Sequence, residues 1–144
     1  MIDREKLDEL YDTLLQAAFD LLQQNGEFFP IGAVIRGNDI DLVAFDAGEE
    51  HPASQDVIDG LTEVFKGEAA RGAISASAIA FDGRVRSPDN GKPTDAIIVR
   101  LRAAGYATDV FTPYDLQTRG LFRKTRTLQS GQAGASEGAQ DVFA

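Results

Sequence analysis

Four arginines hold the most distinctive chemistry in this sequence: Arg84, Arg86, Arg100 and Arg102, two pairs at i, i+2 spacing. In an extended chain each pair points to one face. If their strands are neighbours, four guanidiniums gather and grip a carboxylate or phosphate, so these residues are the candidate ligand-binding set for a small anion. The competing arrangement pairs them across strands with Asp82 or Asp109. His51 is the one imidazole, beside Glu49 and Glu50. It could serve as a base or metal ligand, but no nucleophile is paired with it, and His51-Pro52 reads as a polar connection before a helix. Asp39 and Asp41 share a strand face and could meet one hard cation. Asp46, Asp82 and Asp95 fall near strand ends, where a carboxylate pair for acid–base chemistry or a turn-forming role are both open.

The standard motifs fail on spacing. Around Asp89-Asn90-Gly91 a calcium loop would need Arg86 and Pro88 as ligands, and Pro93 occupies the hydroxyl position of a phosphate loop ending at Lys92. The chain has no cysteine, which excludes a disulfide scaffold and a thiolate metal site. We assign no catalytic residue, no metal ligand and no cofactor from the sequence.

The elements that must position these side chains are legible. Residues 3–25 repeat Leu7, Leu10, Tyr11, Leu14, Leu15, Ala18, Leu21 and Leu22 at helical spacing, with Asp3 as cap and Asn25-Gly26 as stop. Residues 28–36 and 39–46 read as a hairpin about Gly37-Asn38. Ile40, Leu42 and Ala44 share one face of its second strand, and Asp39, Asp41, Val43 and Phe45 the other. Residues 54–71 form a second helix, weakened by about 1 kcal/mol at Gly60. Strands follow at 73–82, 95–102 and 106–112, the first built from small residues that let a helix approach closely. The expectation is an α+β domain over 1–116, order α-β-β-α-β-β-β, with two helices on an antiparallel five-stranded sheet.

Residues 1–116 carry a net charge of −11, and residues 117–144 carry +2. The tail holds Arg119, Arg123, Lys124 and Arg126 and then a Gly/Ala/Gln-rich stretch, so it reads as a basic extension that returns to the body at 141–143. Its cations suit either solvent or an acidic surface of the same or a neighbouring subunit. The overall charge of −9 argues against nucleic acid. No apolar run reaches the roughly 18 residues of a membrane span, and no secretory segment is visible, so a cytoplasmic location is expected.

Phe28-Phe29-Pro30-Ile31-Gly32-Ala33, Asp95-Ala96-Ile97, Thr112-Pro113-Tyr114 and Asp141-Val142-Phe143, in this order, resemble a family of small, uncharacterised bacterial α+β proteins over about residues 28–143. The resemblance implies that 141–143 belongs to the domain, and it brings no assigned reaction. The element order also resembles roadblock-type and profilin-like modules, mostly dimeric scaffolds or sensors.

With both helices on one face, Val43, Phe45, Ile79, Phe81 and Ile98 need a second cover, and either the tail or a second copy of the chain could supply it; a homodimer is expected on that ground. The expected function is therefore a non-enzymatic binding or regulatory module acting as a homodimer, with a partner protein or small anion as ligand. A hydrolase or metal-dependent enzyme using strand-end carboxylates and His51 is the alternative. An acidic secretion-type chaperone is the third reading.

Overall fold

The computed structural model describes residues 3–48, 50–121 and 125–144. Helix α1 (Arg4–Asn25) starts where the Asp3 carboxylate accepts from the Glu5 N–H at 3.0 Å. It ends at Gly26, whose φ of 79° places it in the left-handed region that glycine tolerates best. Leu7, Leu10, Leu14, Ala18 and Leu22 form its buried stripe. Strands β1 (Ile31–Arg36) and β2 (Asp39–Val43) follow, then helix α2 (Ser54–Ala70). The remainder is β3 (Ala76–Arg86), β4 (Pro93–Ala103), β5 (Tyr106–Arg119), β6 (Thr125–Ser130) and β7 (Gly134–Glu137).

The fold is α+β with an antiparallel sheet, but the sheet has seven strands, not the expected five. Its order is β2-β1-β3-β4-β5-β6, with β7 also on β5. The difference lies in the tail. The sequence reading stops the fifth strand before Pro113, because proline cannot donate to a ladder. Instead β5 runs through Pro113 to Arg119. Its outer edge is paired first with β6, from Arg119–Thr125 to Tyr114–Ser130, and then with β7, from Phe111–Gly134 to Thr108–Glu137. Three residues, 131–133, stand opposite Thr112 and Pro113. This local bulge releases the ladder where Pro113 has no N–H, while the Gly131 N–H still donates to the Pro113 carbonyl at 2.7 Å.

The small residues of the tail have a packing reason. A Cβ on Gly134 would collide with the ring of Phe111. Arg126, grouped by sequence with the tail cations, lies against the chain's own body. Its Nη1 donates to the Gln24 carbonyl at 2.7 Å, at the end of a helix with no basic residue in its last turn. Arg123 and Lys124 lie outside the described residues.

The two helices cover opposite faces, which corrects the expectation of a shared face. Alpha-helix α1 packs on Ala33, Ile35, Ala76, Ala78, Ala80, Ile97, Val99, Leu101 and Ala103. Helix α2 packs through Val57, Ile58, Leu61 and Phe65 on Val34 and Ile79, with Val43, Phe45 and Phe81 at the margin and Val142 of the tail buried among them. The face for which a second copy was expected is thus covered by α2 and the tail. Arg36 ties α2 to the sheet, its Nη2 donating to both oxygens of Glu68 at 2.8 Å.

Gly60 explains itself here. A Cβ at that position would strike the ring of Phe45, so the helix accepts a poor helix former to seat the aromatic side chain. Gly60→Ala should gain about 1 kcal/mol of helix propensity and lose about 1–3 kcal/mol to overpacking. We expect a net loss near 1 kcal/mol and a Tm lower by about 2–4 °C in a calorimetric scan. A rise in Tm would show that the ring does not pack there.

Candidate interaction surface

The β3–β4 register decides the fate of the four arginines. Arg84 stands opposite Asp95 and Arg86 opposite Pro93, whereas Arg100 stands opposite Ile79 and Arg102 opposite Ser77. Since Ala76, Ala78 and Ala80 face α1, alternation places Arg84 and Arg86 on that face. Arg100 and Arg102 take the α2 face, between Val99 and Leu101, which face α1. The expected gathering of four guanidiniums therefore does not form. Two things separate them: the opposite faces, set by the side-chain period of two, and a register that sets the positions of Arg84 and Arg100 five residues apart along the strands.

Three of the four have defined structural partners. Arg102 is buried, its side chain only 3% exposed. Its Nη1 donates to Asp109 Oδ1 at 2.7 Å and its Nε to Asp141 Oδ1 at 2.9 Å, with the Leu101 carbonyl 3.0 Å from Nη1. The cross-strand pairing with Asp109 weighed from sequence is found here. The added partner, Asp141, fastens the tail to β4. Arg86 Nη1 donates to the Gly91 carbonyl at 3.0 Å and closes the β3–β4 turn. Arg100 lies 4.9 Å from the centroid of the Phe81 ring, a cation–π distance.

The strand-end carboxylates do not assemble as a metal site: among the described residues no group of three His, Cys, Asp or Glu is arranged to hold an ion. Asp41 Oδ2 accepts from Arg36 Nε at 3.2 Å. Asp46 accepts from the Gly48 N–H at 2.8 Å, a turn role. His51 is exposed and its ring centroid lies 6.4 Å from that of Phe29.

Asp82 is different. Its Oδ1 accepts a hydrogen bond of 2.7 Å from the Tyr114 hydroxyl. Asp82 is exposed as a residue, yet the protein packed around its carboxyl raises the pKa above the usual carboxylate range. The Tyr114 bond pulls that value back and the charge of Asp95 adds to the rise. Burial, and then the bond to Asp82, push the Tyr114 phenol up. Sequence reasoning missed Tyr114, since it ended the strand just before this residue.

One concave feature combines an apolar lining with exposed large apolar side chains. A groove of about 390 Å³ lies between α1 and the β2 side of the sheet, lined by Ala17, Leu21, Ile31, Leu42 and Ala44, with Asp20 on its rim. A second hollow of about 340 Å³ shares Leu21 and Ile31 and adds Phe28, Phe29 and Glu27. Leu42 is 57% exposed and Phe29 44%. Among the described residues no lysine or arginine lines either hollow. A cleft of about 530 Å³ between α2 and the tail, lined by Lys66, Ala69, Ala104 and Phe143, contains none of the exposed large apolar side chains. The sequence carried one signal of the groove. The apolar stripe of α1 is wide enough to include both Leu21 and Leu22, and the sheet covers only Leu22 fully.

No family model, no curated protein and no solved structure matches the chain.

Two outcomes are expected. Arg102→Met leaves Asp109 and Asp141 without their cation. Breaking a buried pair costs about 3–5 kcal/mol. Because both carboxylates keep about a third of their exposure, we expect the lower end of that range in urea unfolding. For Asp82, a folded pKa above the unfolded one means that protonation favours the fold. That contribution is present below the ordinary carboxylate value of about 4 and is lost as pH rises through the raised value. Asp82→Asn keeps an acceptor for Tyr114 and removes the charge, so its stability relative to wild type should rise as pH climbs from about 4 through the raised value. An unchanged difference across that range would mean that this carboxylate is not desolvated.

Proposed function

We propose that this chain is a non-enzymatic binding module whose partner surface is the groove between α1 and β2. The observation that carries this reading is the juxtaposition of exposed Leu42 and Phe29 with the two hollows around Leu21 and Ile31. Two large apolar side chains left open beside a concave apolar floor lose the hydrophobic gain that burial would give, and such patches mark interaction sites. The enzyme alternative needs strand-end carboxylates together with His51, but His51 is exposed beside Phe29, and the hydrogen bond and raised pKa of Asp82 also follow from its packing against Tyr114.

The test uses an apolar probe and a variant that leaves the core untouched. In wild-type protein, 8-anilinonaphthalene-1-sulfonate should fluoresce on binding and shift the NMR signals of Ala17, Leu21, Ile31 and Leu42. Leu42→Glu, at an exposed site where stability changes by only about 0.5 kcal/mol, should weaken that binding several-fold. Probe binding that maps elsewhere, or that ignores Leu42→Glu, overturns the reading.

A further inference from the structure

Strand β2 is the outer strand of the sheet: among the described residues β1 pairs it on one side and no strand pairs it on the other. The N–H and C=O groups not used by β1 are a template for one more strand. Natural edges are blunted by shortness, proline, bulges or charged side chains, and the charges on this short strand are the carboxylates of Asp39 and Asp41, which repel an anionic strand and admit a cationic one. This edge reads Asp39-Ile40-Asp41-Leu42-Val43 and pairs with β1 residue for residue, without a bulge.

The two sides of β2 differ in chemistry. Ile40 packs with the α1 cluster, so Leu42, two residues on, flanks the α1 groove. Asp39 and Asp41 take the other side with Arg36. That single guanidinium is shared between Asp41, at 3.2 Å, and Glu68, at 2.8 Å. Asp39 has no cation within 4 Å among the described residues. Carboxylate is therefore in excess on this side, and Asp20 and Glu27 give the groove an acidic rim on the other.

Resting on the binding-module reading above, we propose that the β2 edge takes an extended segment of a partner protein as an added strand. The segment alternates apolar residues, seated in the α1/β2 groove, with lysines or arginines over Asp39 and Asp41. Strand addition draws affinity from main-chain hydrogen bonds and specificity from alternate side chains, which matches an edge that is apolar on one side and acidic on the other. The net charge of −9 steers a cationic segment towards the chain. A second copy fits less well, because its own β2 would bring Asp39 and Asp41 to an edge already in carboxylate excess.

The probe is a short capped peptide alternating valine and lysine. Its binding should slow amide exchange in β2, shift Leu42 and Leu21 signals and weaken as salt rises. Asp39→Lys should lower its affinity about 3- to 10-fold, the scale of an exposed ion pair replaced by a like-charge contact. Backbone N-methylation of the peptide should abolish binding. Equal binding of a valine–glutamate peptide, or full binding of the N-methylated one, overturns the proposal. So does sedimentation showing a dimer that Leu42→Glu dissolves, which would assign the edge to a second copy. If the fluorescent probe occupies the groove and the valine–lysine peptide does not bind, this proposal fails and the module reading stands. If neither binds there, both fail.

Discussion

Helix α1 can lie close on the sheet because β3, at its centre, presents little more than methyl groups to it, with further alanines on β1 and β4. Ala33, Ala76, Ala78, Ala80 and Ala103 are all fully buried under it. Larger side chains at these positions would lift the helix and lose its leucine contacts, since interiors are packed to near-crystalline density. The same strands turn Val34, Ile79 and Phe81 to the other face, where α2 brings Phe65 and Leu61. Ring size compensates there for the absence of a small-residue floor, and Gly32 and Gly60 make room for Phe65 and Phe45. The central strands are thus buried on both sides, and only the two outer edges of the sheet remain to be dealt with.

The two edges are treated differently. On one, β6 and β7 run along β5 and leave the tail folded over it. That arrangement is fixed at its end by Arg102, whose burial is tolerable because two carboxylates and a carbonyl surround it. Removing any one of these leaves a charge in a poor place, so the tail is held by electrostatics as well as by Val142. Arg126 adds a second tie, to the carbonyl end of α1. Strands β6 and β7 are then the outer strands at that edge of the sheet, and their residues are mostly small or polar. At the other edge β2 is paired by β1 alone among the described residues, with an apolar groove on one side and, on the other, Asp41 beside Arg36 and Asp39 without a cation within 4 Å.

Much of the architecture was legible in the sequence. The period of 3.6 over residues 3–25, with Asp3 and Gly26 at its ends, is a local signal and depends on no other part of the chain. The alternation of residues 39–45 assigned Ile40 to one face and Val43 and Phe45 to the other, as found. What escaped was set by partners distant in sequence. Pro113 reads as a strand end until a bulge 18 residues later relieves it. Gly134 reads as loose linker until the ring of Phe111 is placed beside it. Leu42 reads as sharing a face with Ile40, and only the outer position of β2 leaves it 57% exposed.

The candidate site follows the same division. The sequence by itself determined which side chains share a face within each strand and the excess of negative charge on residues 1–116, because these follow from backbone geometry and composition. The tertiary structure decided which faces meet. The β3–β4 register sends Arg84 and Arg86 to one side of the sheet and Arg100 and Arg102 to the other, and it sets the two pairs at least five residues apart along the strands. The tertiary structure also placed α2 on the face opposite α1, and it left β2 paired on one side alone among the described residues. Those outcomes depend on how much apolar surface each packing buries summed over the whole chain, a quantity that no local stretch of residues contains.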